Sequence, residues 1–265
     1  MNYPALSNLN SKSIIPPMGT GRPHDIGPVA VMVSAEPDLR YIKQKFKKGK
    51  SFSFFMSTLF TPENSEKGIF DAGISCSYTG PYMGAPYGAA LLESLIAKGA
   101  ESIIVSGWCG AVSPYLHTGD ILIPNAAISD EGTSRNYIKT DDHFPLISSD
   151  LKLRNILIEE MIKRDMQYKE GNIWTTDAIY RETPEKVAFF KKKGAVAVEM
   201  ECSALFSVAK FRKKDIAAVL VVSDEVKNSG WKPGFRDKRF REARKKVSSM
   251  ICEMGKNDFN LSSCS

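Results

Sequence analysis

Val198-Glu-Met-Glu-Cys-Ser-Ala-Leu205 places two carboxylates one residue apart, at the point where an apolar run gives way to a helical pattern. A strand-like segment, Gly194–Val198, leads into it, and apolar residues at helical spacing follow over Ala204–Ala209. Strand-to-helix junctions at the carboxyl ends of strands are common ligand sites in α/β proteins, and a carboxylate pair suits a diol. The same glutamates also interact well with the amino end of a helix, so a purely structural role stays open.

Three other segments are also predicted to be strand ends or turns of the kind at which ligands bind. Residues 214–225 form a buried apolar run that we predict to be a strand ending at Asp224, which brings a further carboxylate to a strand end. A glycine- and proline-rich turn over Gly80–Gly88 leads into a predicted helix. Ser102–Val112 is predicted to be a buried strand followed by a glycine loop. Each signal is weak alone, because such junctions are common in α/β enzymes.

Six motifs in chain order resemble the nucleoside phosphorylase family, which includes purine nucleoside phosphorylases, uridine phosphorylases and nucleosidases. They are YMGAP, SGWCGAV, TGDILIP, TTDAIY, VEMECSAL and VSDE, and the resemblance runs from about Pro28 to Val226. It implies a single α/β domain with a mixed, twisted central sheet flanked by helices, assembled as a homo-oligomer (dimer, trimer or hexamer). We expect a catalytic domain over 28–265 after an extended arm over 1–27, whose His24 either enters a neighbouring site or has no role in it.

The resemblance also implies roles for the acidic residues. Glu201 would hold the ribose hydroxyls, with Met200 packed against the sugar and Glu199 supporting from the other side of the turn. Asp224 would protonate the imidazole nitrogen of a departing purine, unless it only caps the element after its strand. The other substrate-binding candidates are Met83, Ile179, Tyr180, Arg181 and Ser223. The Ser-Asp pair favours a purine, and Arg181 keeps a pyrimidine possible.

The chain departs from the family pattern where phosphate would bind. Phosphorolytic members carry an arginine and a Ser or Thr at positions that correspond here to Val105 and Trp108, and neither side chain replaces a guanidinium. The first loop has one additional residue before its arginine, and Asp38 falls near the carboxylate with which hydrolytic relatives activate water. The phosphate-binding candidates are Arg40, Gly107 and Trp108, with Arg135 as a further cation from the same or a neighbouring subunit.

Three functions are compatible with these residues. We predict phosphorolysis of a purine nucleoside, with inorganic phosphate as co-substrate, ahead of the other two, because it is the commoner activity among relatives with this pair of acidic motifs. Hydrolysis, with Asp38 as a catalytic residue, accounts for the missing phosphate ligands. The third function is a nucleoside-binding or storage protein without catalysis, against which the carboxylates Glu199, Glu201 and Asp224 argue. No cofactor is expected for any of them.

A basic cluster near the carboxyl end raises a nucleic-acid hypothesis. The 265 residues carry a formal charge of +6, and part of it is concentrated in Arg236–Lys246. However, apolar residues recur through and beyond this cluster at three- and four-residue intervals, which predicts an amphipathic helix with a solvated basic face instead. These apolar residues are Phe240, Ala243, Val247, Ile251 and Met254.

Compartment and metal binding follow from composition. No apolar segment approaches the roughly 20 residues that span a membrane, and the amino end lacks a secretory pattern, so we expect a cytoplasmic protein without a membrane partner. The five cysteines have no CxxC spacing, which predicts reduced and packed thiols. Three histidines, His24, His117 and His143, show no metal-ligand spacing, and no metal site is expected.

Overall fold

A computed structural model describes residues 12–20, 26–63, 76–227 and 230–256. Within these ranges, eleven strands form one mixed sheet and six α-helices flank it, which confirms the α/β class. The strands are β1 Val29–Val33, β2 Gly49–Phe54, β3 Ser57–Pro62, β4 Cys76–Gly80, β5 Ser102–Ala111, β6 Ile121–Asp130, β7 Leu146–Ser148, β8 Lys169–Thr176, β9 Ala195–Glu199, β10 Asp215–Lys227 and β11 Gly230–Pro233. The helices are α1 Glu36–Gln44, α2 Ala85–Ala97, α3 Leu151–Lys163, α4 Pro184–Lys192, α5 Cys202–Arg212 and α6 Lys238–Lys256.

The strand order is β11-β10-β6-β8-β9-β5-β1-β4-β3-β2, with β7 paired to β6. Strand β1 is parallel to β4 and β5, and β5 is parallel to β10. Strand β10 is antiparallel to β6, β6 and β9 are each parallel to β8, and β9 returns antiparallel to β5. The pairings of β5, β10, β6, β8 and β9 therefore close on themselves. This closure brings the ends of β5, β9 and β10 together.

Apolar runs form the buried elements. Strand β1 reads VAVMV, and all five of its residues are buried, as expected for a strand covered on both faces. Helix α6 buries the predicted stripe, including Phe240, Val247 and Ile251, which confirms the amphipathic helix. Arg244 is an exception to its solvated basic face, since only 16% of its side chain is exposed.

Two sequence-based boundaries are wrong, both near the site. Strand β10 does not end at Asp224 but continues to Lys227 and pairs with β11, and its register shifts between Val222 and Asp224. Backbone pairing on both sides carries this strand beyond its apolar run. Likewise β5 continues through its glycines, because Gly107 pairs with Leu220 of β10. Glycine fits at this position because a Cβ there would lie 2.7 Å from the Ser34 hydroxyl oxygen.

Only part of the predicted arm falls within the described residues. Over 12–20 the chain forms bends and turns, with Ile14 almost fully exposed and Gly19 against the Lys98 side chain. His24 and Cys264 lie outside the described residues, and the boundary at residue 27 stays a prediction. Cys76, Cys109, Cys202 and Cys252 are free and buried. None of the helices in the described ranges has the length and hydropathy to cross a membrane.

Candidate active site

A cavity of about 1030 Å³ opens where β4, β5, β9 and β10 end. Parallel strands direct their carboxyl ends to one edge of a sheet, where α/β proteins bind ligands. The cavity brings together many residues that the sequence predicts as site residues. These are Met83, Trp108, Ile179, Tyr180, Glu199, Met200, Glu201, Ser223 and Asp224.

Glu199 ends β9 and holds the turn into α5. One of its carboxylate oxygens accepts hydrogen bonds from the backbone N–H groups of Glu201 and Cys202, at 2.8 and 2.7 Å. The other accepts from the Thr175 hydroxyl at 2.5 Å. Burial raises the pKa of Glu199, and these donors oppose the shift. Glu199 thus accepts hydrogen bonds from N–H groups at the start of α5 and also lines the cavity. Its position fits both the structural role and the ligand-binding role that the sequence left open.

Glu201 faces the cavity from the N-cap position of α5. Its Oε1 accepts a hydrogen bond from the Gly84 N–H at 2.5 Å. Gly84 has φ of 89°, a conformation that favours glycine, so the turn before α2 is shaped to direct this N–H at the carboxyl group. Burial and the nearby Glu199 raise the pKa of Glu201 to about 8. Around neutral pH, Glu201 therefore exchanges a proton and can hydrogen-bond a polyol in either form.

Asp224 lies across the cavity on β10. Its Oδ1 accepts from the Ser223 hydroxyl at 2.5 Å, and its Oδ2 accepts from the Trp231 indole N–H at 2.7 Å. Trp231 belongs to β11, so the β10–β11 hairpin clamps the carboxyl group. Its partners are therefore the preceding hydroxyl and an indole of the hairpin, instead of the N–H groups of a following element that a capping role requires.

Trp108 separates Asp38 from the cavity. The Trp108 indole N–H donates to Asp38 Oδ2 at 2.7 Å, and Arg244 Nε donates to Asp38 Oδ1 at 2.8 Å. The Arg244 guanidinium also lies 4.7 Å from the centre of a Trp108 ring. Burial raises the pKa of Asp38, and Arg244 opposes this shift. Asp38 is absent from the cavity lining and both of its oxygens are engaged, so the geometry gives no support to its water-activating role.

The remaining predicted cations also lie away from the cavity. Arg40 pairs with Glu36 at 2.6 Å, and 66% of its side chain is exposed. Arg135 donates to the His143 carbonyl, and the exposed Arg181 is not in the lining. Of the three phosphate-binding candidates, Gly107 lies inside β5 and only Trp108 reaches the cavity.

Among the lining residues that sequence reasoning did not predict are Glu182, Trp231 and Phe235. Glu182 directly follows the predicted Arg181. Its position just after the TTDAIY motif is the sequence feature from which it could have been predicted. Trp231 and Phe235 had no signal, because the strand was expected to stop at Asp224. They enter the site through the β10–β11 hairpin.

The cavity is acidic and otherwise mainly apolar or aromatic. Its charged lining residues, among the residues that the structure describes, are Glu182, Glu199, Glu201 and Asp224, and none is Lys, Arg or His. The lining offers no cation to a bound dianion, and burial raises the pKa of Glu182, Glu199 and Glu201, so the repulsion of an anion grows as the pH rises. No cluster of His, Cys, Asp and Glu suited to a metal ion occurs within the described ranges.

Comparisons with known proteins agree with this fold. A family model described as the phosphorylase superfamily matches residues 18–255. This chain therefore belongs to the phosphorylase superfamily.

Curated relatives are named purine nucleoside phosphorylases. The DeoD-type enzyme of Colwellia psychrerythraea is 35% identical over 156 residues, and that of Caldanaerobacter subterraneus subsp. tengcongensis is 31% identical over 155 residues. Each match covers 58% of this chain and 66% of the relative, so it spans slightly less than two thirds of those proteins.

Solved structures with the same fold have several activities in their names. A Toxoplasma gondii purine nucleoside phosphorylase in complex with immucillin-H has a TM-score of 0.75 at 17% identity, over 92% of this chain and 98% of that one. A Campylobacter jejuni 5′-methylthioadenosine/S-adenosyl homocysteine nucleosidase has a TM-score of 0.71 at 19% identity, over 87% and 99%. At these identities the likeness concerns the fold alone.

Proposed function

We propose that this protein cleaves the N-glycosidic bond of a purine nucleoside and transfers the ribosyl group to water. The observation that carries this proposal is the set of ionisable side chains that line the cavity, which are four carboxyl groups and no basic residue within the described chain. Cleavage of this bond builds positive charge on the sugar, which carboxylates stabilise. A phosphate dianion finds no cation in this lining and is repelled by those carboxyl groups that are ionised.

In this proposal the sugar lies against Glu201, Met200 and Met83, which all line the cavity. Glu201 is held by the Gly84 N–H and lies one residue beyond Met200, so its carboxyl group is fixed against the turn. In this proposal Glu201 hydrogen-bonds the ribose hydroxyls and Met200 packs on the ring. Since a site built for hydroxyl groups leaves its polar atoms unpaired when they are missing, deoxyribose is disfavoured.

In this proposal the base lies among aromatic residues of the lining and beside Asp224. Tyr180, Trp231 and Phe235 offer flat apolar surfaces, and Asp224 and Glu182 are the charged groups among them. A purine that leaves as an anion is a poor leaving group. In this proposal a carboxyl group at this end supplies the proton that neutralises it.

Phosphorolysis is the second candidate, favoured by the names of the curated relatives. It requires a cation that the described part of one chain does not supply to the cavity. A neighbouring subunit of a homo-oligomer is one source. Light scattering after gel filtration measures the oligomeric state. It therefore shows whether a neighbouring subunit is present that can supply the cation.

Identification of the sugar product distinguishes the candidates. The purified protein is incubated with adenosine, inosine, guanosine, methylthioadenosine and uridine, with and without phosphate. We expect free ribose, or its 5′-substituted form, at a rate that does not depend on phosphate. A ribose 1-phosphate that forms only with phosphate would establish phosphorolysis instead. Nucleosides that bind without release of any base would support the binding-protein hypothesis.

A further inference from the structure

Tyr82 lines the cavity, and its hydroxyl group has no hydrogen-bond partner among the described residues. The residue lies in the turn between β4 and α2, only 4% of it is exposed, and its hydroxyl oxygen is buried. A buried hydroxyl without a partner has lost its hydrogen bonds to water and gained none in the fold, which destabilises the native state. Most buried polar side chains do have a partner, so this exception requires a physical reason.

The backbone and the ring of Tyr82 are both held in place. Its backbone N–H donates to the Ser34 carbonyl at 3.3 Å. A Cβ on Gly88, in the first turn of α2, would lie 3.5 Å from two carbons of the Tyr82 ring, so the ring packs against this helix. A partner for the hydroxyl group must therefore come from the groups that surround this turn.

Glu201 is such a group. The Gly84 N–H, two residues after Tyr82, donates to Glu201 Oε1 at 2.5 Å, so one turn carries Tyr82 and also anchors Glu201. Burial raises the pKa of Tyr82, and among charged groups Glu201 contributes most to this shift. An ionised carboxylate has two acceptor oxygens and can accept from several donors, and a phenol hydroxyl can donate. The hydroxyl and the carboxyl group are therefore complementary neighbours.

The two protonation states of Glu201 differ in their need for donors. A protonated carboxyl group carries a donor of its own, whereas an ionised one only accepts hydrogen bonds. Burial and the nearby Glu199 raise the pKa of Glu201 to about 8, so the protonated form predominates at neutral pH. As positive charge builds on the sugar, the ionised form stabilises it better. The reacting complex therefore needs a further donor that the resting protein does not use.

We propose that the Tyr82 hydroxyl is the donor held for the ionised carboxylate of Glu201, which makes Tyr82 a positioning residue for the sugar. This inference rests on the proposed function. The Glu201 side chain turns toward the hydroxyl when it ionises beside the sugar, so the unpaired hydroxyl of the resting protein gains a partner only in the reacting complex. An interaction that is stronger in the transition state than in the ground state raises kcat.

The first test is thermal unfolding without ligand at pH 6, where Glu201 is protonated. Tyr82→Phe removes the unpaired hydroxyl and keeps the ring, so we expect Tm to rise by roughly 2–4 °C. Tyr78→Phe is the matched control, because the buried Tyr78 of β4 donates to the Ile251 carbonyl at 3.5 Å and is not part of the cavity lining. Its Tm should not rise. A fall of Tm in Tyr82→Phe would show that the hydroxyl already has a partner, which overturns the proposal.

The second test is the pH dependence of kcat for p-nitrophenyl riboside. Its phenolate leaves without an acid, so the profile reports groups at the sugar, and kcat should rise with pH as Glu201 ionises. A donor to the ionised form lowers its pKa, so Tyr82→Phe should move this rise to higher pH by about one unit. Below the rise kcat is then about 10-fold lower than in wild type, and above it the two proteins agree within about threefold.

Tyr78→Phe should keep the wild-type profile. A loss of kcat in Tyr82→Phe that is equal at every pH would show that Tyr82 contributes only packing. An unchanged profile would show that its hydroxyl does not act on Glu201, and either result overturns the inference. The failure of the proposed function is a different result, because the wild-type protein would then release neither a base from nucleosides nor nitrophenol.

Discussion

Glu201 combines a backbone anchor with a free face toward the cavity. We expect the wild-type protein to prefer adenosine over 2′-deoxyadenosine by roughly 10- to 100-fold in kcat/KM, the range of a hydrogen bond to a charged group. Glu201→Gln should weaken this preference, because an amide binds a diol less strongly than a carboxylate. Steady-state kinetics with both nucleosides measure the ratio, and an unchanged ratio would remove Glu201 from ribose recognition.

Substitution of Asp38 tests whether this residue activates water, as the sequence suggested. It is buried with Arg244 and Trp108, so Asp38→Asn leaves an arginine without its counter-ion. Breaking a buried ion pair typically costs about 3–5 kcal/mol, which urea unfolding at pH 7 measures. We expect turnover per folded molecule to stay within about threefold of wild type. A loss of 100-fold or more in a folded variant would restore Asp38 as the base that activates water.

At the scale of elements, the β10–β11 hairpin depends on close packing just after β11. A Cβ at Gly234 would lie 2.2 Å from Thr118 Cγ2 and 2.5 Å from the Ser223 carbonyl oxygen. Gly234→Ala should therefore displace the chain that carries Trp231 and Phe235. We expect about 1–3 kcal/mol of destabilisation and a marked loss of kcat for adenosine.

The control for this prediction is Gly132→Ala. At Gly132 the nearest atom to a new Cβ is 4.0 Å away, on Asp177, so the change should alter neither stability nor turnover. Full activity in Gly234→Ala would mean that the hairpin is not needed in its present position. Fluorescence of Trp231 would then be the direct check on whether the hairpin had moved.

At the scale of the whole molecule, buried carboxyl groups make stability depend on pH. The native pKa of Glu201 is about 8, above its ordinary 4.5, so the native state holds more protons than the unfolded chain between these values. Stability contributed by this group is therefore lost as pH rises from about 4.5 to about 8. Burial raises the pKa of Glu199 as well and acts in the same direction.

Glu201→Gln should remove its part of this dependence. We expect the variant to have a higher Tm than wild type at pH 8, by roughly 2–4 °C for each kcal/mol gained, and nearly the same Tm at pH 5. Scanning calorimetry at both pH values provides the comparison. A parallel decline of Tm in both proteins would show that Glu201 is not the group responsible.

Much of the fold was accessible from the sequence because its signals are local. The apolar run before Glu199, the apolar spacing of α6 and the glycine-rich turn at Gly84 each report the burial or backbone freedom of their own segment. The cavity residues that were predicted belong to such segments. Boundaries failed at Gly107 and Asp224, where pairing with a distant strand, not composition, extends the element.

The sequence by itself determined the α/β class, the amphipathic α6 and the turn that carries Glu199 and Glu201. Only the tertiary structure decided which charges face the cavity. Arg244 contacts Asp38 because α6 packs beside α1. Trp231 contacts Asp224 because β11 pairs antiparallel with the end of β10. Glu182 and Asp224 line one cavity although they lie far apart in the sequence. Electrostatic effects depend on distance in space and on burial, and neither is encoded in local spacing along the chain.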